Sequence, residues 1–442
     1  MFKIRISIIS FIIVSTISAQ QKKWTLKDCI DHALQYNISV KQAENKLLIN
    51  KQNIIAAKGQ FLPSVSGSLG QRMSIGSGFD PVSNQRINNQ TINSFNYNVS
   101  VNQTIFNGFK TLNLYKQSVL NKVIDSLELA RIRDDISLNV VNAYLNVLFN
   151  KENLEIAIAQ YDLTEKQLKQ VEYFVSAGVQ PKANIFDTQA TLSRDAQQVT
   201  IAQNNLDLAL LSLSQLLQVE YNGFDISTEN IVNPDSKLLY SSINPILDFA
   251  FKNRSEIKLA EKNIESVELN TKILTSGYLP TINFSYGYGS VWSESKNDFI
   301  KQAFFRELDL LKGHNFNLTV SLPIFSRFQN KTSIARTRVE VESSKLNLNQ
   351  AKLNLESNIQ RAFTDTKAAF KAFEAAKKVF IAQNISFSNA QERYNNGTIN
   401  TYELEQVRVQ LINANVSLVN AKYDFVFKTK VLNFYMGVPL AI

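Results

Sequence analysis

The chain has 442 residues, 44% of them hydrophobic and 19% charged, which is enough apolar material for a folded core and unlike a disordered chain. Its formal charge is +9, but lysines and arginines are interleaved with acids along helical stretches instead of forming a basic patch; this reads as solvated helix faces and argues against a nucleic-acid binder. The 14 Gly and 8 Pro stand in a few clusters separated by long stretches with neither, and the single cysteine, Cys29, excludes an internal disulfide.

Residues 1–19 read as a secretory signal: Lys3 and Arg5 precede an apolar stretch from Ile6 to Ile17, and Ser18-Ala19 offers a small-residue cleavage site. The stretch falls short of the roughly 20 residues a helix needs to cross a bilayer, and no later apolar run is longer. An exported protein without a transmembrane helix is therefore expected. Cys29 lies well past the cleavage point, so it is not placed for lipidation.

Residues 20–222 form a first repeat and 245–442 a second, joined by a linker over 223–244. Ala33, Glu44, Leu62 and Pro63 recur 217 residues later as Ala250, Glu261, Leu279 and Pro280. Asn96-Tyr97-Asn98-Val99-Ser100-Val101 is echoed 219 residues later by Asn315-Phe316-Asn317-Leu318-Thr319-Val320, and Gly178 by Gly397. The two extra residues fall where a surface loop is expected. The first repeat predicts a helix from Leu26 to Lys58, strands at about 64–75 and 94–106, and helices from Lys110 to Ala177 and Lys182 to Glu220. The second predicts a helix from Ile246 to Ser276, strands at about 281–292 and 314–325, and helices from Gln329 to Asn396 and Thr401 to Met436.

Neither Gly nor Pro occurs between Gly108 and Gly178, or between Pro323 and Gly397. A helix of ~65 residues is on the order of 100 Å long, so it must pack lengthwise against others. Its apolar residues, among them Val119, Val123, Leu127, Ile136, Val140, Val141, Tyr144, Leu145 and Leu148, recur at three- and four-residue steps as in a coiled coil.

Each strand segment alternates between an apolar and a small polar face. Val65, Leu69, Met73 and Ile75 oppose Ser64, Ser66, Ser68, Arg72 and Ser74; Phe95, Tyr97, Val99 and Val101 oppose Asn96, Asn98, Ser100 and Asn102. The second pair repeats this, with Phe284, Tyr286, Tyr288 and Trp292 in one strand and Phe316, Leu318, Val320 and Leu322 in the other. The segment length of about 10 residues, the small polar face, uncharged apart from Arg72, and the aromatics near strand ends fit a membrane barrel. Four strands leave two edges that lipid does not tolerate, so the protomer must pool strands with copies of itself. Both strand-joining loops, Gly76 to Thr91 and Ser293 to Gly313, lie on one side and all helices on the other. For an exported protein this places the loops outside and the helices in the periplasm. The second loop carries Phe304, Phe305, Leu308, Leu310 and Leu311, which can form a short helix.

Three marks occur in order, twice. They are a Leu-Pro ending the first helix (Leu62-Pro63, Leu279-Pro280), an Ile-Phe followed by Phe after the last strand (Ile105-Phe106-Asn107-Gly108-Phe109, Ile324-Phe325-Ser326-Arg327-Phe328), and a glycine turn between the long helices (Ser176-Ala177-Gly178-Val179-Gln180, Tyr394-Asn395-Asn396-Gly397-Thr398). In this the chain resembles the TolC-type outer-membrane efflux proteins over almost its whole length beyond the signal. The resemblance implies a mainly α protein with a membrane β-barrel part, a homotrimer whose twelve-stranded barrel is continued by a periplasmic α-helical tube. It implies a passive conduit of a tripartite efflux or type I secretion system, set in outer-membrane lipid. The implied partners are a periplasmic adaptor (membrane fusion) protein and an inner-membrane transporter of RND, ABC or MFS type, with no cofactor and no metal.

It further implies that adaptors dock at the hairpin tips, here Gly178, Val179, Gln180, Gly397, Thr398 and Ile399; the two glycines read equally well as helix C-caps. The family closes its periplasmic end with inward acids past the second turn. By position Glu403 is such an acid and Tyr394 belongs to the closing network, while the place of the next acid holds Gln406. Asp187 parallels Gln406 in the first repeat. Asp187 and Glu403, each present three times around an axis, are expected to form a cation-attracting constriction; a solvated surface acid is the other reading of each.

No enzyme is expected. His32 and His314 lack ligand spacing, Cys29 has no neighbouring base, and the chain carries no P-loop, nucleotide-binding glycine pattern or nucleophile elbow. The competing reading is a non-conducting coiled-coil stalk or adhesin anchored in the outer membrane, which predicts no pore.

Overall fold

The computed structural model describes residues 23–80, 84–228, 240, 242–295 and 303–438; the signal at 1–19 and much of the linker at 223–244 lie outside them. The elements are α1 (Leu26–Tyr36), α2 (Ile38–Gly59), β1 (Ser64–Asp80), β2 (Gln85–Asn107), α3 (Lys110–Ser176), α4 (Ala183–Leu217), α5 (Asn244–Asn253), α6 (Ser255–Thr275), β3 (Thr281–Ser295), α7 (Phe304–Leu310), β4 (Gly313–Ser321), α8 (Gln329–Asn395) and α9 (Thr401–Tyr435). Both α3 and α8 run unbroken for 67 residues, since nothing in either removes a backbone donor or frees the backbone. Among the described residues no helix is long and apolar enough to cross a membrane.

The first helix of each repeat, expected to be continuous, is broken in two. Asn37 (φ −58°, ψ 132°) leaves the helical region, its N–H donates to the Ala33 carbonyl at 2.9 Å, and its side-chain oxygen accepts from the Ser39 N–H at 2.9 Å. One residue thus ends α1 and caps α2. Arg254 (φ −66°, ψ 137°) makes the same break between α5 and α6, 217 positions after Asn37. The apolar periodicity runs through both junctions, which is why the pattern did not reveal them.

The chain divides into two compact units. The first comprises 1–41, 132–250 and 357–442. Its core joins Leu26, Cys29 and Ala33 of α1 to Val140, Tyr144 and Leu148 of α3, Leu206, Leu213 and Leu217 of α4, and Val419 and Tyr423 of α9. A capping box at Thr25 and Asp28 starts α1. The segment before α1 is tied to the one after α4 by a parallel bridge between Trp24 and Ile226, and α3 holds the latter as well: the Tyr144 hydroxyl donates to the Ser227 carbonyl at 2.8 Å, and Lys151 Nζ reaches Asp225 Oδ1 at 2.5 Å. Burial alone would raise the Asp225 pKa, but Lys151 holds it below the usual carboxylate range. Burial pushes the Cys29 thiol up to about 12, which leaves it inert.

The second unit comprises 42–131 and 251–356. Its sheet has the order β1-β2-β3-β4, every pair antiparallel. Register aligns like with like. Val65, Val101, Tyr286 and Phe316 form one row across all four strands, and Gly67, Val99, Tyr288 and His314 the next on the same face. The opposite face carries the row Ser64, Asn102, Ser285, Asn317 and, beside it, a Ser66–Ser100 hydroxyl pair at 2.8 Å. On the outer strands the apolar face is bare among the described residues: Leu69 of β1 is 77% exposed, and Phe316 and Leu318 of β4 are 70% and 65% exposed.

The first hairpin is longer than expected. The segment from Gly76 to Thr91, read as a loop, continues the strands as far as the pair Asp80 and Gln85, with a register shift between Gly76 and Gly78. Backbone pairing persists there, but few apolar residues remain to alternate, so the period-two signal fades before the strand does. The fourth strand ends at Ser321, short of 325, because Pro323 has no N–H to give the ladder. The short helix anticipated in the second loop is α7. Gly108 (φ +65°) turns β2 into α3, and a Cβ there would come within 2.8 Å of Leu279 Cβ, so both backbone and space demand glycine. Of the anticipated α3 seam, Val140, Val141, Tyr144, Leu145 and Leu148 are buried, whereas Val119 and Val123 stay exposed.

Candidate functional site

Both long-helix turns in the first unit adopt the same backbone solution. Gly178 (φ +75°) donates its N–H to the Val175 carbonyl at 3.1 Å, and Val179 donates to the Phe174 carbonyl at 2.9 Å. Gly397 (φ +69°) and Thr398 do likewise to the Tyr394 and Arg393 carbonyls, each at 2.9 Å. This is the Schellman C-cap, so the cap reading of both glycines holds. A Cβ at either position would meet nothing within 4 Å, so the left-handed backbone alone selects glycine. Among the tip residues, Val179 and Thr398 are exposed and Gln180 and Ile399 half-buried. The Gln180 side chain accepts from Asn184 at 3.3 Å.

The following helices start differently. Asn400 caps α9, its side-chain oxygen accepting from the Glu403 N–H at 2.9 Å while its amide reaches the Glu403 carboxylate at 3.3 Å. At the start of α4, Lys182 provides no side-chain cap. Glu403 is therefore an exposed acid in the first turn of α9, where the helix dipole favours negative charge.

Tyr394 is buried with Ala390 and Leu404, against Phe387, Ile399 and Val407. Its hydroxyl is enclosed with no hydrogen-bond partner among the described residues. Asp187 is exposed on α4 and lines a cleft of about 240 Å³ with Gln167, Arg194, Tyr402 and Glu405. Within one chain the structure thus brings Asp187 to the same cleft as Glu405 and Tyr402, while Glu403 and Tyr394 lie outside that lining.

The strongest polar constellation here was not anticipated. Arg408 on α9 is only 2% exposed. Its guanidinium donates to Glu405 Oε1 at 2.7 Å, to Asp195 Oδ2 of α4 at 3.4 Å and to the Thr164 hydroxyl of α3, which in turn donates to Asp195. Three helices are held by one buried cation whose charge is met by two carboxylates. The cluster borders a cleft of about 520 Å³ whose lining includes Asn150, Asn153, Asn205 and Asn413. Its members stand at 164, 195, 405 and 408, so only the Glu405–Arg408 spacing is local. The available clue was a charge one turn after Leu404, in the buried phase of α9. Among the described residues no group of three His, Cys, Asp or Glu side chains is placed to hold a metal.

A family model described as outer membrane efflux protein matches the chain twice, over residues 29–218 and 246–438. Outer membrane protein TolC of Vibrio cholerae serotype O1 is 21% identical over 208 residues, 47% of this chain and 45% of that protein, so the match spans about half of that curated relative. Among solved structures, CusC superposes with a TM-score of 0.78 at 16% identity, covering 94% of this chain and 92% of that one. VceC of Vibrio cholerae gives 0.75 at 15% identity, covering 94% and 96%. At such identities these likenesses establish the fold, that of a TolC-type channel protomer. With both halves matched by the family model, the chain belongs to the outer membrane efflux protein family.

Proposed function

We propose that this chain is one protomer of a trimeric outer-membrane efflux channel, a passive conduit that receives its cargo and its energy from other proteins. The observation that carries the reading is the sheet: four antiparallel strands, apolar on one face, Ser- and Asn-lined on the other, with β1 and β4 each unpaired on one side among the described residues. A sheet of this kind is stable in lipid only when closed, and three copies supply twelve strands, within the range of known barrels. The polar rows then line a wet lumen and the apolar rows face lipid. CusC, described by its transmembrane channel formation, and MtrE of Neisseria gonorrhoeae, an outer membrane channel, support the reading by their fold.

On this reading residues 1–19 are removed on export, the two repeats 20–222 and 245–442 are joined by the linker 223–244, and the helices lie in the periplasm. The tips at Gly178, Val179, Gln180, Gly397, Thr398 and Ile399 meet a periplasmic adaptor, which links the channel to an inner-membrane transporter. Asp187 and Glu403, exposed near those tips, form a cation-attracting constriction, and Tyr394 takes part in closing it. Planar-bilayer recording tests both levels. The purified trimer conducts ions, and Asp187→Ala with Glu403→Ala lowers cation selectivity; a protein that inserts without conducting returns the reading to a stalk or adhesin, and unchanged selectivity rejects the acid ring.

A further inference from the structure

α7 sets its first residue on the apolar side of the sheet. The Phe304 ring packs against Phe95 and Trp292, with centroids 5.3 and 5.1 Å away, and these two residues are cross-strand partners in the apolar rows of β2 and β3. β3 runs on past its last pair with β4, Gly289 opposite Gly313, and α7 packs against β3, with Phe304 on Trp292 of that overhang. Leu308 and Glu307 turn inward with Phe304 and are buried, while Phe305 is 82% exposed and Leu310 64%. The outward side thus carries two bulky apolar residues together with Arg306 and Asp309, the latter paired with Lys312 at 2.5 Å.

We infer that α7 is an interfacial foot, seated outside the barrel wall in the headgroup layer of the leaflet that faces the exterior, with Phe305 and Leu310 in contact with lipid. This rests on the lipid-facing assignment of the apolar rows under the proposed function. Three observations select lipid over water or a lumen plug. The helix is continuous with the apolar face; it stands at the aromatic level of Phe95, Tyr97, Tyr288 and Trp292, the residue types that mark membrane–water boundaries. Its outward side mixes apolar bulk with both signs of charge, the chemistry of an interface and not of a hydrocarbon core.

Depth-dependent quenching tests this on the intact trimer. Phe305→Cys and Leu310→Cys are labelled with an environment-sensitive fluorophore, Cys29 being wholly buried and silent, and reconstituted in phosphatidylcholine–phosphatidylglycerol vesicles carrying a nitroxide at the headgroup or deep in the acyl chain. Leu318→Cys on the apolar rows and Ser100→Cys on the polar face serve as references. The expected result is at least twofold stronger quenching of the 305 and 310 labels by the headgroup nitroxide than by the deep one, with Leu318 in the reverse order and Ser100 reached by neither. Labels at 305 and 310 that no lipid nitroxide reaches, beside a quenched Leu318, overturn the foot alone; they then meet water, shown by iodide quenching, or a neighbouring copy, shown by cross-linking. An unquenched Leu318 overturns the lipid-facing reading itself.

Discussion

The helical core around Leu213 and the four-stranded sheet solve opposite problems with the same chain. In the core, Leu26, Tyr144, Leu213 and Leu217 are buried by residues of this one polypeptide, and even the buried Arg408 finds its counter-charges internally. In the sheet, neighbouring strands are joined by backbone pairing, yet outside the patch covered by Phe304 most apolar side chains of β1 and β4, and the outer edges of those strands, meet no partner among the described residues. The first region holds its stability in itself. The second is a part, stable only with a solvent and partners that supply what it lacks.

The sharpest way to break this contrast is at Arg408. Arg408→Leu strands Asp195 in a site where both are largely buried, and about 3–5 kcal/mol of stability is expected to be lost. The double variant with Asp195→Leu recovers most of it, as read by denaturant unfolding of the helical signal. Next in size is a matched pair of truncations: Leu213→Ala in the core costs about 2–5 kcal/mol, whereas Leu318→Ala on the exposed sheet face changes detergent-solubilised stability by no more than about 0.5 kcal/mol. Equal losses would mean that the sheet face is covered in the folded protein. The smallest effect concerns the turns. Gly178→Ala and Gly397→Ala each cost about 1–2 kcal/mol through backbone strain alone, because no atom lies near the added Cβ. Asn at either site restores part of the loss by tolerating the left-handed region. A much larger penalty at one turn in the assembled trimer would expose a neighbour that the single chain does not have.

Much of this architecture was legible from residues. The glycines at 178 and 397 and the breaker-free runs before them located the long helices almost to the residue, because only those breakers interrupt a favourable apolar seam. Alternation identified all four strands, but it reported faces and not pairing. β1 and β2 therefore ran on past Gly76, where the apolar residues thin out and the hydrogen bonds do not. Asn37 and Arg254 broke helices whose periodicity looked continuous, since a cap is set by backbone angles that hydrophobic spacing does not encode. The anticipated Tyr394, Glu403 and Asp187 were found near the turns but in three separate surroundings, and the Arg408 cluster was missed because its members meet only through packing.

The sequence by itself determined the order of elements, the two-faced strands and the glycine turns, since each depends on residues close together in the chain, and the duplication, since two halves can be matched without being folded. Only the tertiary structure decided which side of the sheet α7 lies on, which carboxylates meet Arg408, and that the apolar rows align across four strands from both repeats. Those features depend on residues up to hundreds of positions apart, whose meeting is set by register and packing density and leaves no local periodicity to read.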